Sequence, residues 1–325
     1  MHSISISPTK RSFILAAGVA VSLFPFVSPG GALLAGIVST IILRADGPTP
    51  ARKFGPLLLK TALVGLGASI NFRVIASLGW SGFLATLSVI VSTLILGWLV
   101  SGFLSTRGKA GLLITVGTAI CGGSAIAAVA PIIDAKNEET SVALTTIFLL
   151  NAVALYVFPL LGAALNLSQE QFGFWSALAI HDTSSVVGSA MAYGDKALAT
   201  ATTVKLMRAL WIVPFALAIG YFYRQQTHEQ QSSAKVKTGV WFLWGFVGMS
   251  ILATAIPELG EVWGTVSLVA KRLLVASLFL IGASVNLDAF RKLGMKPALM
   301  GVILWFCLGT GVLGAILILS GSAVP

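Results

Sequence analysis

The sequence predicts an all-α polytopic membrane protein of about ten to eleven transmembrane helices, built as inverted repeats with broken helices. Three observations predict it. The 325 residues are 56% hydrophobic and only 10% charged, with mean hydropathy +0.94; a soluble domain carries about 25% charged residues. Apolar stretches of spanning length follow one another from Ser12 to Ser320 with short loops between them. Small residues interrupt these stretches, above all in Gly117–Pro131, where Cys121-Gly-Gly-Ser124 stands in place of Leu and Ile. A helix broken there exposes backbone groups at membrane depth, which only protein or an aqueous cavity can satisfy.

A span needs about 20 apolar residues, within a range of about 17–25. In order, the segments are Ser12–Val27, Gly30–Leu43, Phe54–Ile70, Trp80–Phe103, Ala110–Ile133, Thr140–Ala163, Phe172–Tyr193, Ala197–Tyr223, Gly239–Ala255, Val262–Val285 and Pro297–Ser320. The first follows Lys10-Arg11, as the apolar region of a signal peptide would, but reads as an uncleaved first helix. The second is short and flanked by glycine. The long polar stretch Arg224–Thr238 has no periodicity and no room for a folded domain. It reads as a flexible cytoplasmic linker between two parts of one transmembrane domain that spans 1–325.

The loop charges orient the chain. With the N-terminus inside, Lys10, Arg11, Arg44, Arg52, Lys53, Arg107, Lys109, Arg224, Lys235, Lys237, Arg291, Lys292 and Lys296 all fall in inside loops. The outside loops receive Arg73, Lys136 and Lys196 with most of the acids. This asymmetry predicts a cytoplasmic N-terminus and an external C-terminus. It also accounts for much of the net charge of +10 without a nucleic-acid partner. The partners expected are the lipid bilayer and a small anion, and a homo-oligomer stays open. Cys121 and Cys307 make no metal or disulfide motif, and His2, His181 and His228 are scattered. No phosphate-binding loop and no Gly-x-Ser-x-Gly elbow occurs, so neither an ATPase nor an enzyme is expected, and no cofactor.

Two internal echoes stand out. Gly67-Ala-Ser-Ile-Asn-Phe72 recurs as Gly282-Ala-Ser-Val-Asn-Leu287, and Ala119-Ile-Cys-Gly-Gly-Ser124 as Ala179-Ile-His-Asp-Thr-Ser184. The Gly-Ala-Ser copies fall in helices of opposite direction, as inverted repeats do. A five-plus-five register would instead pair Cys121-Gly-Gly-Ser124 with Ile281-Gly-Ala-Ser284, and the sequence leaves that choice open. Small-residue runs also recur wherever helices approach closely.

Inside the apolar segments the cations are Lys60, Lys205, Arg208, Lys271 and Arg272, and the one acid is Asp182, beside His181. A charge at the bilayer centre costs about 2.5–3.5 kcal/mol. Pairing among these side chains cannot neutralise so lopsided a set, which points to an anionic substrate. Lys205 and Arg208 share a helix face and are assigned to substrate, with pairing to Asp182 as the alternative. Lys271 and Arg272 point about 100° apart, so only one need face a cavity. Lys60 is close enough to its segment end to snorkel. The backbone of Cys121, Gly122, Gly123 and Ser124, with Ser284, is assigned to hydrogen-bonding the substrate. His181, Asp182, Thr183 and Ser184 are assigned to coupling through H⁺ or Na⁺. Asn71 and Asn286 either cap their segments or join in coordinating that ion.

Cys121–Pro131, His181-Asp-Thr-Ser-Ser-Val-Val-Gly188, Lys205-Leu-Met-Arg208 and Gly282-Ala-Ser-Val-Asn286, in this order, resemble the YeiH-like family of bacterial inner-membrane proteins. The resemblance covers nearly the whole chain. It implies about ten to eleven helices, a multi-pass protein of the inner membrane, and the sulfate-exporter role with which that family is commonly labelled. In outline the pattern is also similar to the bile-acid/sodium symporters, where two unwound helices cross near the midplane. The expected function is secondary transport of a small anion, with export of sulfate or a related oxyanion leading. The alternatives are a cation-coupled organic-anion importer and a membrane sensor or scaffold that transports nothing.

Overall fold

The structure is a computed structural model and describes residues 8–43, 50–69, 72–73, 79–106, 108–227, 241–284 and 295–321. The described residues fold entirely as helices, helical turns and the bends between them, with no strand. Every predicted apolar segment carries a helix. Among the described residues, five continuous helical stretches are long and apolar enough to cross a membrane: Gly82–Phe103, Glu138–Ala164, Asp195–Tyr221, Pro257–Gly282 and Lys296–Leu319. Shorter apolar helices occupy the other segments. The protein is therefore an all-α, multi-pass membrane protein.

The chain divides into two compact units, Met1–Ala76 with Trp241–Leu287, and Ser77–Val240 with Asp288–Pro325. The linker predicted at Arg224–Thr238 lies mostly outside the described residues.

The first unit holds α1 (Pro8–Ser22), α2 (Pro29–Leu43), α3 (Pro50–Leu66) with a 3-10 turn at Gly67–Ser69, α12 (Trp241–Ala255) and α13 (Gly260–Gly282). Helix α13 is its axis and packs against α1, α2 and α3. Glycine sets the spacing. A Cβ on Gly36 of α2 would run into the carbonyl oxygen of Phe279, and one on Gly282 into that of Leu33. Backbone meets backbone in both directions, the close approach that small residues allow in membranes. Gly67 is pressed the same way against the carbonyl of Phe246 on α12. Both Gly-Ala-Ser copies thus lie in one unit, each with its glycine at a close helix contact.

The second unit holds α4 (Gly79–Phe103), α5 (Lys109–Ala119), α6 (Gly123–Val129), α7 (Asn137–Ala164), α8 (Gln169–Ala179), α9 (Thr183–Tyr193), α10 (Asp195–Leu210), α11 (Ile212–Thr227) and α14 (Met295–Gly321). Local signals set the starts of the helices around the site. Ser168 caps α8 and accepts from Gln171 N, while Gln171 Oε1 accepts from Ser168 N at 2.8 Å, a capping box. At α7, Glu139 accepts from Lys136 N at 2.8 Å. Helix α8 is buried by Phe158, Phe172, Trp175 and Leu178, with Leu308 and Val312 of α14 on the same cluster. The Trp175 ring stacks on Phe158 at 4.3 Å and donates from Nε1 to Gly309 O at 2.8 Å. Only 17% of the most apolar stretch of Lys296–Leu319 is buried, against 47% for that of Asp195–Tyr221. Helix α14 therefore presents its outer side to lipid, and α10 runs through the interior of its unit.

Candidate functional site: two interrupted helices that cross

Two predicted segments are each broken into two half-helices, in the same register of the same echo. Helix α5 ends at Ala119 and α6 starts at Gly123; α8 ends at Ala179 and α9 starts at Thr183. The chemistry of the two breaks differs. The first turns through Gly122 at φ 61° and ψ −126°, a conformation that favours glycine because an L side chain would clash with its own backbone. The second needs no glycine. Ile180 and Asp182 are extended, at φ −83°, ψ 135° and φ −96°, ψ 144°, and the Asp182 carboxylate caps α9 by accepting from Ser184 N at 3.0 Å. The Ser184 hydroxyl also donates to it.

The breaks touch. A Cβ built on Gly122 would lie 3.3 Å from Asp182 Cα and 3.4 Å from its Cβ. The residues that correspond in the two echoes, Gly122 and Asp182, are therefore packed against each other. Four half-helix ends converge there, two presenting N–H groups and two presenting carbonyls that have no partner within their own helix.

The carbonyl ends are met by α10. Lys205 and Arg208 are both 0% exposed. Lys205 Nζ donates to Ile180 O at 2.6 Å and Ala177 O at 3.4 Å. Arg208 reaches both interrupted helices: Nε to Ala119 O at 2.8 Å, Nη2 to Thr118 O at 2.6 Å, and Nη1 to Leu178 O at 2.7 Å. A cation at a helix C-terminus faces the negative end of the dipole, and donors that carry charge make the stronger hydrogen bonds. The sequence assigned these two cations to a substrate or to an ion pair with Asp182. The structure instead gives these donors to backbone carbonyls, and Asp182 to Ser184.

The remaining assigned residues fall as follows. Cys121 and Gly122 are buried, Gly123 is half-buried and Ser124 exposed. The Gly122 N–H is already spent on Gly117 O at 2.8 Å. Asp182 is half-buried, while Thr183 and Ser184 are buried. The His181 ring is 0% exposed, and neither ring nitrogen has a hydrogen-bond partner among the described residues. Its backbone N–H donates to Asn151 Oδ1 at 3.2 Å, and Asn151 Nδ2 and Thr118 Oγ1 are buried without partners as well. Sequence reasoning missed Asn151. Its signal was a lone carboxamide in the apolar run Phe148–Val153 of α7.

Lys271, Arg272 and Ser284 belong to the other unit. Lys271 lines a cleft of about 300 Å³ with Ser69, Trp263, Gly264 and Ser267. Arg272 is directed elsewhere: Nη1 donates to Phe24 O at 3.1 Å, at the corner after α1. Ser284 Oγ turns back to Ile281 O at 2.8 Å, so its proton is held within its own turn. Asn71 and Asn286 lie outside the described residues.

Comparison with known proteins gives one family throughout. A UPF0324 membrane protein of Bdellovibrio bacteriovorus is 48% identical over 318 residues, 98% of each chain. One of Vibrio parahaemolyticus is 43% identical over 288 residues, 89% of this chain and 92% of that one. One of Bacteroides thetaiotaomicron is 40% identical over 296 residues, 90% of this chain and 87% of that one. No solved structure matches, so the likeness to the bile-acid/sodium symporters has no such match behind it. The family model described as conserved hypothetical protein 698 matches residues 31–301, and the chain belongs to that YeiH-like family of UPF0324 membrane proteins.

Proposed function

We propose that the protein is a secondary transporter of a small anion, with export of sulfate or a related oxyanion as the leading case. The observation that carries the transport reading is the crossing of two interrupted helices within apolar segments. Unwound backbone is costly in hydrocarbon and is retained where it lines a path or a site. A packing scaffold has no need to break two helices at one point and bury two cations to hold them.

The anion part of the reading rests on Lys271. It lines a cleft together with Ser267 and Ser69; the Ser69 hydroxyl donates to Leu66 O at 2.8 Å, so the Lys271 charge and the Ser267 hydroxyl are what the cleft offers an oxyanion. Asp182, half-buried at the crossing, is the acid through which an ion gradient would act, with His181 next to it. The expected placement is the bacterial inner membrane with the N-terminus cytoplasmic.

Flux tests the proposal. Purified protein in liposomes is given radiolabelled sulfate and other oxyanions under imposed pH and sodium gradients. Protein-dependent flux of an oxyanion is expected. Absence of flux for every anion, with the protein folded and inserted, overturns the reading.

A further inference from the structure

We propose that Lys205 and Arg208 are built-in cations that take the place of a bound monovalent metal ion at the crossing, so that the crossing is assembled and works without sodium. The consequence for transport rests on the reading above; the assignment of the two side chains does not.

The C-terminal carbonyls of an interrupted helix have no intrahelical partners, and in transporters such ends commonly coordinate Na⁺. Here five carbonyls, those of Thr118, Ala119, Ala177, Leu178 and Ile180, receive six N–H contacts from two side chains. These oxygens come from both interrupted helices, and they are the ligands a dehydrated sodium ion at the crossing would need. The guanidinium fork is planar, permanently charged and matched to several oxygens at once. It bridges Thr118 and Ala119 on one helix to Leu178 on the other. Both side chains are 0% exposed, so water does not supply these carbonyls. Their tethers keep them in place, and a free ion would have to displace them.

Asp182 completes the pattern. It caps α9 and so supplies the negative charge that a helix N-terminus favours. The crossing thus carries its own counter-charges at both kinds of helix end. Lys205 and Arg208 are positioning residues in this arrangement: they hold the two breaks in register.

The test uses the full chain in detergent, with thermal unfolding followed by tryptophan fluorescence. Wild type is melted in sodium chloride and in choline chloride at equal ionic strength, and the midpoints are expected to coincide. Arg208→Ala is expected to melt lower, and millimolar guanidinium to raise its midpoint by several degrees while leaving wild type unmoved. Ethylammonium is expected to do the same for Lys205→Ala. Rescue by the matching free cation is a response that loss of packing alone does not give. Should Arg208→Ala fail to fold, the Lys205→Ala arm and the wild-type sodium comparison decide the matter. A saturable rise of the wild-type midpoint with sodium overturns the proposal, as do folded variants that ignore the free cations. Liposomes separate the two readings. Midpoints as expected with no flux of any anion would remove the transport reading alone; flux with a sodium-stabilised wild type would remove this one alone.

Discussion

Gly122→Ala is the smallest change that reaches the crossing. At φ 61° and ψ −126° an alanine is strained by about 1–3 kcal/mol. The added methyl would also sit 3.3 Å from Asp182 Cα, 3.3 Å from Ile147 Cγ2 and 3.4 Å from Asp182 Cβ. Two of those three atoms belong to the partner break, so relief requires moving the crossing, at the low end of the overpacking range, about 1 kcal/mol. Alanine returns about 0.4–1 kcal/mol by restricting the unfolded chain. The net is a loss of about 1–4 kcal/mol. The control is Gly123→Ala. Gly123 begins α6, so alanine gains up to about 1 kcal/mol of helix propensity against a contact with Phe148 Cζ at 3.0 Å, the far end of a side chain rather than backbone. Two assays read the pair: the thermal midpoint in detergent, and alkylation of the buried Cys121 in a Cys307→Ser background, because Cys307 is exposed. Gly122→Ala is expected to lower the midpoint and open Cys121 to the reagent, while Gly123→Ala does neither. Equal behaviour of the two variants would refute the crossing geometry.

Trp175→Phe removes the second donor to Gly309 O, whose carbonyl keeps its place in the helix ladder of α14; a loss of about 0.5–1.5 kcal/mol is expected, read as a lower midpoint. Asp182→Asn keeps a good N-cap for α9, so its midpoint should stay near that of wild type, while flux in liposomes should lose its dependence on the imposed gradient. Lys271→Ala should abolish stabilisation by sulfate in a thermal-shift titration, and Arg272→Ala, whose guanidinium is committed to Phe24 O, should leave it intact.

The spans were legible because lipid demands long apolar runs, and composition alone reveals them. The first break was legible because it is made by glycine. The second carries no such signal beyond its echo of the first. Its turn is made by an extended Ile180 and by an aspartate cap, neither of which is distinctive in a sequence. The roles of Lys205 and Arg208 were hidden for a different reason. A tally of buried charge counts side chains, whereas their partners are backbone carbonyls contributed by helices as far as 90 residues away. Asn151 escaped because one carboxamide in an apolar helix gains meaning only when a neighbouring backbone N–H is placed against it.

That accounting changes what the surplus of cations implies. Five cations facing one acid suggested that a substrate must supply the missing charge. The structure answers most of the surplus internally. Lys205 and Arg208 face carbonyl ends, which carry about half a negative charge per helix terminus. Arg272 donates to a carbonyl at a helix corner, and Lys60 lies 5.7 Å above the Phe242 ring, within the range of a cation–π contact. Sign counting therefore gives little support to an anion at the crossing itself. The case for an anion rests on the place of Lys271 in a cleft beside Ser267. It follows that the crossing and the cleft have separable roles. Substitutions at Lys205 and Arg208 should change stability and leave anion selectivity alone, and substitutions at Lys271 should do the reverse. A variant of Arg208 that melts like wild type but prefers a different oxyanion would contradict this division.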